Sequence, residues 1–175
     1  MIDLAQNHFE LFGLHPAFDV PMDAVERSYR EIQSHVHPDR FADATDAERR
    51  AAMQWATRVN EAYETLREPL KRARYLLALR GVDAEVETNT SMPPEFLMAQ
   101  MEWREAVEEA KEAADVDGLD HLLVRLRRDM HDLYGRLGQA LDAGSDAEAA
   151  GTVRKLMFYE KIQDELGDAL AALED

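Results

Sequence analysis

The chain has 175 residues, 46% hydrophobic and 32% charged, enough for one fair core or two small ones beneath a well-solvated surface. It contains no cysteine, which removes disulfides, thiolate metal sites and thiol catalysis, and leaves an iron–sulfur cluster without its usual ligands. The formal net charge of −16 argues against nucleic acid, no apolar run reaches the length of a membrane span, and the N-terminus lacks a signal-peptide layout, so a soluble cytoplasmic protein is expected.

Nearly every segment reads as helix and nothing alternates convincingly as strand, which predicts an all-α fold. A short first helix over about Asn7–Phe12 carries Phe9, Leu11 and Phe12 and stops at Gly13. A second follows Pro21, with Met22, Val25, Tyr29, Ile32 and Val36 at steps of 3, 4, 3 and 4. Pro38 disfavours helical geometry at His37, which ends that helix and opens a loop running to Thr45. A third helix, about Asp46–Glu68, repeats Ala52, Trp55, Val59, Ala62 and Leu66 at the same spacing. The two matched stripes predict an antiparallel hairpin closed by the loop. A fourth segment, Pro69–Arg80, has Pro in its first turn and Gly81 past its end.

Residues 81–93, GVDAEVETNTSMP, are polar and aperiodic and end at a double proline. They mark the predicted linker between a first domain at 1–80 and a second at 94–175. Three longer helical runs follow, about Pro94–Ala114, Leu119–Asp142 and Asp146–Leu173, broken at DVDG and AGSD. Short connections make sequential helices antiparallel, so a three-helix bundle is expected. Charge separates the halves too: residues 1–80 hold 13 acids and 11 bases, residues 81–175 hold 23 acids and 9 bases. Either two modules meet different partners, or the acids simply keep the second half soluble.

The loop between the second and third helices contains His37, Pro38 and Asp39. A tripeptide alone is weak, but its seat between two amphipathic helices of matched pattern is specific. This arrangement resembles the J domain, in which a helical hairpin presents such a trio to the ATPase domain of a heat-shock-70-class chaperone. The loop offers a rigid Pro, a carboxylate able to pair with an Arg, and an imidazole able to donate and accept. The resemblance implies that Asp39 makes the main charged contact and that His37 and Pro38 set the loop's shape. The basic face that J domains carry on the second helix is thin here: Arg27 and Arg30, with Arg40 past the loop, stand against Asp23, Glu26 and Glu31. Val36 stands where J domains often have an aromatic residue.

On the helix that opens the second half, Phe96, Ala99, Trp103, Ala106, Val107 and Ala110 share one side and suffice as the core stripe. Leu97, Met98 and Met101 fall on other faces, beside Glu102, Glu105 and Glu109. Apolar side chains ringed by carboxylates suit an external binding surface, or else they pack on the first domain or the linker. FLMAQMEWREAVEE in this helix, RVNEAYETLREPLKRARYLL, FGL near the start and TVRKLMFYEKI in the last helix together resemble the HscB family, the J-domain co-chaperones of iron–sulfur cluster assembly. Membership would imply two partners: a specialised heat-shock-70-class chaperone of the HscA type, whose ATPase is stimulated, and a cluster scaffold protein of the IscU type, delivered to it. Carried over by position, the scaffold-binding surface falls on Leu97, Met98, Met101, Glu102, Glu105, Glu109 and Phe158, the last expected to join the face from the neighbouring helix. A general J-domain co-chaperone with a different client is the alternative. The chain resembles the bacterial form, without the N-terminal cysteine-based zinc module of some eukaryotic relatives. The six histidines have no recurring ligand spacing, and no phosphate loop or nucleophile motif is present, so no metal, no cofactor and no enzymatic activity of its own is expected.

Overall fold

The computed structural model describes residues 5–84 and 92–174, apart from the side chains of Pro38 and Glu174. The described residues form seven α-helices: α1 (His8–Leu11), α2 (Met22–Val36), α3 (Asp46–Arg67), α4 (Pro69–Leu79), α5 (Pro94–Glu112), α6 (Val116–Asp142) and α7 (Asp146–Glu174). No strand occurs among the described residues, and the fold is all-α. The chain divides into two compact units, Met1–Leu76 and Leu77–Asp175, with the division inside α4. Arg80 accounts for that position: its Nη1 donates to the Leu141 carbonyl at 3.0 Å and pairs with Asp146 at 2.7 Å, which ties the end of α4 to the second unit. Of the predicted linker 81–93, residues 85–91 lie outside the described residues.

In the first unit α1 is only four residues long, too short to persist by propensity. A reciprocal capping box holds it: Asn7 Oδ1 accepts from the Glu10 amide at 2.9 Å, and Glu10 Oε2 accepts from the Asn7 amide at 3.0 Å. Phe9 is fully buried, and its ring lies 5.9 Å from that of Tyr75 in α4. Gly13, at φ +69°, makes the left-handed turn that ends α1. The α2–α3 hairpin is antiparallel, since Tyr29 stacks on Tyr63 at 4.0 Å while Gln33, one turn later in α2, reaches back to Asn60 at 3.1 Å. Val25 and Val36 from α2 and Ala52, Val59, Ala62 and Leu66 from α3 fill the seam, as the two stripes predict. Buried Arg72 locks the bottom of the hairpin: its guanidinium donates to the Phe18 and Leu66 carbonyls, each at 2.6 Å, and lies over the Phe18 ring at 5.2 Å.

In the second unit α6 and α7 form the main pair, with Leu119, Leu126, Leu137, Leu141, Leu156 and Leu166 almost completely buried. Helix α6 starts at Val116, earlier than its apolar pattern indicates, because the Asp115 carboxylate caps the Gly118 amide at 2.9 Å. A side chain at position 118 would meet that carboxylate, which would have to turn to make room. Helix α5 packs across the pair through Phe96, Trp103, Val107 and Ala110. Trp103 lies edge-on to Tyr159 at 6.0 Å and under the Arg125 guanidinium at 4.8 Å.

Candidate functional site

The His37–Asp39 loop is built by helix termination. His37 leaves α2 with φ −59° and ψ 130°, the extended geometry that a following proline favours. Pro38–Phe41 then form one 3-10 turn with proline in its first turn, where its missing N–H costs nothing. His37 caps that turn through its side chain, the Nδ1 atom accepting from the Asp39 amide at 3.3 Å. With Nδ1 an acceptor, a neutral imidazole carries its proton on Nε2. The same Nδ1 lies 3.5 Å from Asp39 Oδ2, so ring and carboxylate are neighbours on one tight turn. The Asp39 side chain is 91% exposed and that of His37 55%, so both can reach a partner. On the other side of the loop the Thr45–Glu48 capping box starts α3, and the bonds from Thr45 hold the Glu48 carboxyl below the usual carboxylate range.

The three arginines expected around this loop differ in commitment. Arg30 pairs with Glu26 one turn away at 3.3 Å, a solvated contact of small value. Arg40 turns back, and its Nη1 donates to the Ser34 carbonyl at 2.7 Å. Arg27 is exposed and makes no ion pair among the described residues. The imidazole of His35 is also held locally, its Nδ1 lying 2.7 Å from the Glu31 carbonyl.

The second candidate surface lies on α5. Leu97, Met98 and Met101 are 49%, 63% and 71% exposed, and Glu102, Glu105 and Glu109 are exposed beside them. Phe96, Trp103, Val107 and Ala110 face inward and are buried. One helix thus presents a complete core stripe and a separate, unburied apolar patch rimmed by carboxylates. Lys111 pins the end of α5 to α7 through Glu165 at 3.0 Å, and that hydrogen bond raises the lysine's pKa.

Comparison with known proteins matches residues 7–75 to the DnaJ domain and residues 92–167 to the HSCB C-terminal oligomerisation domain. Over 175 residues, 99% of both chains, the sequence is 55% identical to the co-chaperone protein HscB homolog of Azoarcus sp.. The chain belongs to the HscB co-chaperone family. Two solved structures agree: chaperone HscB from Vibrio cholerae has a TM-score of 0.86 at 34% identity, covering 96% of this chain and 99% of that one. Human co-chaperone protein HscB has a TM-score of 0.87 at 26% identity, covering 94% of this chain and 82% of that one.

Within this HscB-family chain, six of the seven residues carried over to the α5 surface do share an exposed face. Phe158 does not. Its side chain is 8% exposed, edge-on to Phe96 at 5.8 Å and beneath the Arg104 guanidinium at 5.7 Å. It lies under α5 and supports that helix from α7 instead of standing out from it. Arg40 likewise serves the shape of the loop through the Ser34 carbonyl, which residue type alone could not indicate. Among the described residues no three His, Asp or Glu side chains gather as a metal site, and no helix is long and apolar enough to cross a membrane.

Proposed function

We propose that this chain is a J-domain co-chaperone of iron–sulfur cluster assembly, which stimulates the ATPase of an HscA-type chaperone and delivers an IscU-type scaffold protein to it. The observation that carries the reading is a pair of open surfaces on one family-assigned chain. The first unit exposes the His37–Asp39 turn, and the second leaves Leu97, Met98 and Met101 in solvent.

In this mechanism Asp39 meets a cation on the ATPase, while Pro38 and the His37 cap hold the turn in shape before contact. Arg27 adds a long-range attraction, with Arg30 and Arg40 contributing less because each already has a partner. The scaffold lies on Leu97, Met98 and Met101, whose flexible thioethers adapt to an irregular surface. Glu102, Glu105 and Glu109 orient it by charge, and Phe158 keeps α5 at the right height. Holding client and ATPase on one chain raises the effective concentration of one at the other. Hydrolysis then traps the chaperone on the scaffold, whose cluster is cargo, and the co-chaperone needs no chemistry of its own.

Single-turnover ATPase measurements on the chaperone, with and without scaffold, test this. Wild type is expected to stimulate, and more strongly with scaffold; scaffold-independent stimulation would point to a different client.

A further inference from the structure

We propose that a basic groove beside Phe158, between α5 and α7, receives carboxylate side chains of the same scaffold partner, so that the client surface carries both signs of charge. The inference rests on the scaffold-binding reading and extends it to residues not assigned there.

The groove encloses about 250 Å³ and is lined by Gln100, Arg104, Arg154, Met157, Phe158 and Lys161 among others. Its described lining includes three cations and no carboxylate, in a half of the chain that holds 23 acids and only 9 bases. Among the described residues Lys111 is the one cation of this half in an ion pair, with Glu165 at 3.0 Å and Glu108 at 3.5 Å, and what distinguishes the groove is that three cations without a carboxylate partner meet in one concavity. Arg154 and Lys161 make no ion pair among the described residues. Arg154 Nε is moreover buried without a hydrogen-bond partner, a donor left unsatisfied. A carboxylate entering the groove would pair with the Arg154 guanidinium through its terminal nitrogens.

Size and position select the occupant. Small-molecule pockets run from about 300 to 1,000 Å³, so this groove suits one or two side chains of a protein. Leu97, Met101 and Arg104 follow at steps of 4 and 3 along α5, which puts Arg104 on the same strip as the exposed apolar patch. Carboxylates at Glu102, Glu105 and Glu109 border that patch on its other side and repel a polyphosphate ligand. A partner bearing cations at one end of its contact and carboxylates at the other fits in a single orientation, because the reversed pose sets like charges together. Phe158 and Met157 supply an apolar floor for the aliphatic part of an Asp or Glu side chain.

Calorimetric titration of the full-length chain with purified IscU-type scaffold protein, at low and moderate salt, tests the inference. Arg154→Glu with Lys161→Glu is expected to weaken binding about tenfold or more. Lys161→Glu alone, on an exposed side chain, is expected to weaken it by a smaller factor without changing the thermal melt, and Arg154→Lys to stay within about threefold of wild type. Wild-type affinity from the double charge reversal, in a preparation where Met98→Ala with Met101→Ala abolishes binding, would overturn the groove and leave the scaffold reading standing. Undiminished affinity in that methionine variant, or no binding by wild type, would overturn the scaffold reading and this inference with it.

Discussion

Arg40 Nη1 donates a 2.7 Å hydrogen bond to the carbonyl of Ser34. That carbonyl lies in the last turn of α2, where backbone acceptors have no intrahelical partner, so a residue beyond the loop closes the helix before it. Arg40→Ala is expected to destabilise the first unit by about 0.5–1 kcal/mol, discounted for the exposure of the contact. Urea unfolding checks this; an unchanged midpoint would show that the cap contributes nothing in solution.

His37→Gln and Asp39→Asn should act in the opposite way. Both side chains are more than half exposed, so melting is expected to move by less than about 0.5 kcal/mol. ATPase stimulation of the chaperone should nevertheless disappear, because each variant removes a charge or the cap that shapes the turn. Retained stimulation in both would remove the loop from the mechanism.

Helix α5 predicts a sharp contrast between neighbours. Met98→Ala with Met101→Ala alters exposed side chains and should leave the melt unchanged, while the scaffold-dependent part of ATPase stimulation is lost. Trp103→Ala removes a side chain that is 4% exposed, with its contacts to Tyr159 and Arg125, and should cost about 3–5 kcal/mol. Thermal unfolding beside the ATPase assay separates the two effects.

The imidazole of His8 is buried against Tyr75 at 4.2 Å with its Nδ1 unpartnered, and burial followed by the positive charge of Arg58 pushes its pKa down to about 4. The unfolded chain takes up this proton near pH 6.5, so between 6.5 and 4 it binds more protons than the folded chain. Stability therefore falls as pH drops through that window, and the group contributes nothing to the pH dependence above it. His8→Phe should flatten the difference in unfolding free energy between pH 7 and pH 5 by about 1–2 kcal/mol relative to wild type. Identical pH profiles for the two proteins would show that His8 is not excluded from protonation.

Periodicity and punctuation determined the helices, apart from the first turn of α6, and the turn that carries the trio. Val25, Val59 and Leu66 are buried because a stripe at steps of 3 and 4 has one sensible face, and Pro38 ends α2 through sterics confined to its neighbour. The surplus of Leu97, Met98 and Met101 on α5 was legible for the same reason, once Phe96 and Trp103 had claimed the inner side.

Only the tertiary structure decided the rest, where the deciding contact joins residues distant in sequence or reverses direction at a loop. Phe158 belongs under α5 because Phe96 and Arg104 enclose its ring, and no spacing within α7 encodes that meeting. Arg40 serves α2 because the 3-10 turn after Pro38 swings its side chain back over the helix end. The division within α4 follows from Arg80 meeting Leu141 and Asp146, more than sixty residues away. A sequence shows which side of each helix is apolar; which polar group ends beside which depends on how the helices pack.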